Sequence, residues 1–140
     1  MTNSIIKTHK PGTEYNQPHF FILKKGMNSG KPKKVSFTNS FVIVFNCENE
    51  ADSCYWIAFS LWKSKFWHQH LIGSVIPFLC LTDFKKQFNA KATQLMHEHD
   101  EHVKNIEALK RLEQQENRFK ENINLINDLR KVILYRYCNK

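Results

Sequence analysis

The 140-residue sequence has four cysteines, Cys47, Cys54, Cys80 and Cys138, and no two of them stand in a CxxC spacing. That scatter argues against a zinc site or a disulfide framework and for reduced thiols. Glycine and proline number only four each, with no low-complexity tract and no internal repeat, so a folded chain is expected. Long hydrophobic runs are missing too. The longest uncharged apolar stretch, Leu71–Thr82, falls short of the roughly 20 residues of a membrane-crossing helix and contains Gly73 and Pro77. The opening MTNSIIKTHKPG lacks an apolar h-region, so no signal peptide is expected and the reading is cytoplasmic, with no membrane partner.

Catalytic motifs are equally scarce. GMNSGKPKK (Gly26–Lys34) invites comparison with a phosphate-cradling loop, but only three residues separate Gly26 from Gly30, and Pro32 follows Lys31. A P-loop needs four residues there and a hydroxyl after its lysine. The two glycines read instead as turn residues on a short, mobile tip. MHEHDEH brings His97, Glu98, His99 and His102 close together without HExxH spacing, and Ser74 lacks a GxSxG elbow. No catalytic residue, metal or cofactor is expected, and the chain reads as a non-enzyme.

What is present is aromatic and basic. Hydrophobic residues make up 41% of the chain and aromatics 13%, enough for one core of ordinary domain size. The formal charge of +8 is unevenly placed. Between His19 and Cys47 lie Lys24, Lys25, Lys31, Lys33 and Lys34 and no acid, whereas the last fifty residues nearly balance. Such a segment predicts an electropositive face that attracts polyanions. Lysines on a loop neutralise phosphates, and Asn28 is the residue suited to a base edge.

The pattern predicts an α+β fold in three parts. Residues 1–18 read as an irregular arm. Residues 19–90 read as a small irregular sheet with a packed aromatic helix, its strands at Phe20–Lys24 and Phe41–Phe45, a weak one at Val35–Phe37, and an edge strand at Ser74–Leu81. The helix runs from an Asp52 cap to Gly73, with Tyr55, Phe59, Trp62 and Phe66 on its core stripe. Trp56 and Trp67 fall on a second face, which predicts a contact with the C-terminal helix or another chain. Thr82 is expected to cap a short helix from Asp83 to about Phe88. Residues 91–140 read as a long helix whose apolar positions step by threes and fours. A length of roughly 60 Å suits pairing with a second copy, as a homodimer, better than a hairpin broken near Gln114–Asn117.

The stretch SLWKSKFWHQHLIGSVIPFLCLTDFKK (Ser60–Lys86), with its aromatic helix, Gly-Ser turn, Ile-Pro strand and Thr/Asp cap, resembles part of a target-recognition domain from type I restriction–modification specificity subunits. KKGMNSGKP (Lys24–Pro32) is similar to the Gly-containing loop of those domains. The whole chain is also similar to a small uncharacterised bacterial protein family. The first resemblance implies a stand-alone half specificity subunit: a non-enzymatic DNA-binding module whose loops read duplex DNA, with the long helix as spacer and dimer contact. The other reading is a protein–protein interaction module, an adaptor or inhibitor, working through Trp56, Trp67 and the C-terminal helix.

Overall fold

The computed structural model describes residues 4–138, except for the side chains of His99 and Asp100. The first three residues of the expected arm and the last two of the expected helix therefore lie outside the described residues. Among the described residues four strands form one antiparallel sheet: β1 (Ile5–Thr8), β2 (His19–Leu23), β3 (Pro32–Lys33) and β4 (Ser40–Val44), in the spatial order β1-β4-β2-β3. Three helices accompany it among the described residues: α1 (Glu48–Lys63), α2 (Leu81–His97) and α3 (His99–Cys138), with a short 3-10 helix at Phe66–His70. The fold is α+β, as the sequence pattern indicates. None of the described helices is long and apolar enough to cross a membrane. The chain divides into two compact units, Met1–His99 and Asp100–Lys140. The boundary expected after residue 90 falls inside α2, which runs unbroken to His97.

All five residues of β4 are buried, because the strand is covered on both faces. Phe20, Ile22, Phe41, Ile43 and Phe45 face the helices, where Phe20 stacks on Phe45 at 5.6 Å and Phe41 on Phe84 at 5.4 Å. The alternate residues Phe21, Val42 and Val44 face the other way, beneath Tyr15 and Phe37. The period-2 alternation assigns them, and the pairing of Phe20 with Ile43 and Phe21 with Val42 keeps each set on its own face.

Several local expectations are corrected. Ile5–Thr8 belongs to a strand rather than an irregular arm, paired with β4 from Ile5↔Val44 to Thr8↔Phe41. It buries only Ile6, so its composition carries no alternating signal. Val35–Phe37 forms no strand and Val35 is exposed, because the pairing with β2 ends at Lys33. Ser74–Leu81 is not a strand either. Ile72 and Phe78 pair across a tight loop that leaves Val75 exposed, and Phe78 also bridges Lys25.

Helix α1 starts at Glu48 after an extended Cys47, four residues ahead of the expected Asp52 cap. It stops at Ser64 because Lys65 turns left-handed (φ 60°), which re-aims the chain into the 3-10 helix. Its buried face is Ala51, Cys54, Ile57, Ala58 and Leu61, three of them small, and of the expected aromatic stripe Tyr55 and Phe66 pack against the edge of this core while Phe59 and Trp62 do not. Small side chains let the helix approach the sheet closely, while the large rings flank the contact. Helix α2 extends the short helix expected from Asp83 to about Phe88 into the start of the span assigned to the long helix, and buries Phe84, Phe88 and Ala92 at helical spacing.

Burial, with a smaller contribution from Glu50, pushes the Cys54 thiol up to about 12. The unfolded chain then loses this proton near its ordinary value while the folded chain keeps it. Stability therefore falls as pH rises from about 9 toward 12, by up to about 1.4 kcal/mol per unit. Urea titrations at pH 8 and pH 10.5 should show this loss in the native protein and a smaller loss in Cys54→Ala.

Candidate functional site

The Gly26–Lys34 segment is fastened rather than mobile. Ser29 Oγ donates to the Gly26 carbonyl at 2.6 Å, Gly30 N–H donates to Leu23 O at 2.7 Å, and Gly26 N–H donates to Pro77 O at 2.7 Å. Ser29 is buried and Gly30 lies directly against the Trp67 indole, whereas Asn28 and Met27 remain exposed. The turn conformation expected of the glycines is present, with φ of 95° at Gly26 and 98° at Gly30.

The five lysines divide among three places. Lys33 pairs with Phe21 and sits over Phe37 (5.0 Å), on the sheet face away from the helices. Lys24 and Lys25 line a recess with Thr8, Phe41, Phe78, Leu79 and Leu81. Lys31 and Lys34, on either side of buried Pro32, reach toward α1. Lys31 Nζ lies 4.9 Å from the Trp62 ring centre and Lys34 Nζ lies 5.0 Å from that of Tyr55.

These two lysines meet a row of rings that runs along α1. Trp56 and Phe59 are 5.1 Å apart between centroids, and Phe59 and Trp62 are 5.7 Å apart. All three are half-buried, together with Tyr55 at the row's N-terminal end. Spacings of three along a helix place the rings one above the next. Lys63 adds a third cation, 5.8 Å from Phe59 and 5.1 Å from Trp62. An ammonium over an aromatic face is held by the ring quadrupole, so the cations are positioned rather than dispersed. Near Tyr55, Glu48 and Asp52 join His19 and Lys34 in lining a small recess, which makes that end of the row less positive than the Trp62 end.

Of the two tryptophans expected on an outward interaction face, only Trp56 is partly accessible. Trp67 is 1% exposed and belongs to the main core, 5.0 Å from both Phe66 and Phe84. The left-handed turn at Lys65 breaks the helical periodicity that related Trp67 to Trp56, and this explains the difference.

A second feature escaped the sequence reading. His9 is 4% exposed, with Nδ1 3.0 Å from the Tyr15 hydroxyl and Nε2 2.9 Å from Ser36 Oγ. A serine hydroxyl on an imidazole has the geometry of a nucleophile and its base, but here a neutral phenol holds the other nitrogen. The two contacts make the trio a polar bracket joining the end of β1 to two loops. The three residues lie 6 and 27 positions apart, so no local motif marks them. Among the described residues, no group of three His, Cys, Asp or Glu is placed to hold a metal ion.

The chain belongs to a family of unknown function, DUF6943, whose model matches residues 6–136. No curated protein and no solved structure matches it.

Proposed function

We propose that the chain is a non-enzymatic nucleic-acid-binding module that takes an unpaired strand along α1. The observation that supports this most is the interleaving of half-buried rings with positioned cations: Tyr55, Trp56, Phe59 and Trp62 in a row, with Lys34 over Tyr55, Lys31 over Trp62, and Lys63 beside Phe59 and Trp62. Aromatic faces stack bases of any sequence, at about 1–3 kcal/mol per base, and ammonium groups neutralise phosphates. An arriving base displaces a lysine from its ring and leaves the ammonium beside the backbone phosphate. Duplex bases are already stacked and offer the rings nothing, so unpaired DNA or RNA fits this face better than the duplex expected from the sequence. The resemblance to target-recognition domains bears on the partner class alone. Asn28 is exposed on the same loop and is the candidate base-edge contact, while Lys24 and Lys25 are secondary phosphate contacts outside the row and Lys33, on the other face of the sheet, is not a contact.

Anisotropy of a fluorescein-labelled 15-nucleotide oligothymidylate tests this directly. Trp62→Ala is expected to weaken binding about tenfold or more, in line with the loss of one stacked base. Lys31→Glu with Lys34→Glu should weaken it further and flatten the dependence on salt, whereas Lys33→Glu should change little. Equal affinity for a hairpin duplex of the same length would remove the stacking role. Indifference to both sets of substitutions would remove the site.

A further inference from the structure

Helix α3 is one unbroken element of 40 residues, about 60 Å long. Leu112, Phe119, Ile126 and Ile133 recur on it every seven residues and are 66%, 63%, 54% and 58% exposed in the single chain. Ile123, 56% exposed, lies between Phe119 and Ile126 on the same seam, as the alternating steps of three and four require. That seam has two charged interruptions, Glu116 and Arg130, seven residues to either side of Ile123.

We infer that α3 pairs with the α3 of a second copy in antiparallel orientation, centred near Ile123. Both charges occupy the position that a coiled coil turns toward its partner. A parallel pair sets Glu116 against Glu116 of the other copy and Arg130 against Arg130, burying like charges together. Lys120, 2.8 Å from Glu116 on the same helix, relieves the first of these clashes. Arg130 has no comparable relief, since the hydrogen bond it makes is to the neutral Asn127 Oδ1 at 3.4 Å. Antiparallel pairing brings each Glu116 beside an Arg130 of the other copy, in adjoining layers of the seam, and turns two repulsions into two attractions. The complementarity is internal to the sequence, which favours a second copy of this chain over an unrelated helix. This inference does not depend on the nucleic-acid reading.

Spin labels on Cys138 of the full chain, with Cys47→Ser and Cys80→Ser to remove the other accessible thiols, report the orientation by double electron–electron resonance. Antiparallel pairing places the two labels about 45 Å apart along the axis, because Cys138 lies fifteen residues beyond Ile123. A parallel pair brings them within about 20 Å, allowing for label arms on adjacent helices about 10 Å apart, and would overturn the orientation. A monomer in sedimentation at the labelling concentration would overturn the pairing altogether. Glu116→Arg is expected to raise the dimer dissociation constant at least tenfold, and Glu116→Arg with Arg130→Glu to restore it. An unchanged constant in the single variant would indicate the parallel arrangement.

Discussion

Gly30→Ala is expected to destabilise the first unit by about 3 kcal/mol or more, and this is one of the two largest single-residue effects predicted for the chain. Two penalties coincide there. The backbone has φ of 98°, which a residue with a Cβ adopts only under strain. A Cβ built on Gly30 also falls 2.1 Å from Trp67 Cδ1 and 2.7 Å from its Nε1, far inside contact distance. The indole has nowhere to retreat, since Phe66 and Phe84 each pack 5.0 Å from it. Gly26 supplies the control. Its φ of 95° is nearly the same, but nothing lies within 4 Å of an added Cβ. Gly26→Ala should therefore cost only the backbone strain, about 1 kcal/mol. Urea denaturation of the two variants separates these outcomes, and equal losses would mean that the Gly30–Trp67 contact is not tight.

Trp67→Ala is expected to cost a similar amount, about 3–5 kcal/mol, as truncations of fully buried aromatics do. Trp67 joins the 3-10 helix to α2 through Phe84 and to the loop through Gly30. Its Nε1 is buried with no hydrogen-bond partner among the described residues, so the indole contributes through its ring rather than its polar atom. Trp67→Phe, which removes that donor and keeps an aromatic ring, should recover at least half of the loss. The pair of results distinguishes a core residue from an interface anchor, because truncating an exposed anchor leaves the urea midpoint nearly unchanged.

How much of this the sequence discloses depends on the range of the interactions. The runs FFIL and FVIV mark β2 and β4 because strands covered on both faces are apolar at successive positions, a purely local signature. Phe84, Phe88 and Ala92 also repeat at helical spacing, so the continuity of α2 was legible in principle. The face of α1 was not. Large rings at spacings of three and four imitate a core stripe, while the residues under the sheet, Ala51, Cys54 and Ala58, are small enough to be overlooked. The core selects them for close approach, a property of the neighbouring strands. The lysine-rich segment was visible as charge, but its division among three surfaces follows from the Phe21↔Lys33 and Ile22↔Pro32 pairing. Likewise the seating of Gly30 against Trp67 and of His9 against Ser36 joins residues far apart in sequence, and no periodicity encodes either.

The placement of the rings also bears on function. Had Phe59 and Trp62 been core residues, the lysines beside them would have had no rings to share with a ligand. Displacing them from the core onto a half-buried flank creates a surface on which charge and aromatic faces alternate. The basic loop and the aromatic helix, separate candidates in the sequence, meet there.

Intrinsic tryptophan fluorescence measured while unlabelled oligothymidylate is added tests that meeting point most directly. Stacking of bases on Trp56 and Trp62 should quench emission in a saturable way, with Trp67 buried and unaffected. Most of the quenching should disappear in Trp56→Phe with Trp62→Phe, and salt should reverse it in the native protein. Emission that stays constant while the oligonucleotide binds elsewhere, or quenching that survives both replacements, would contradict the α1 surface as the place where the strand is held.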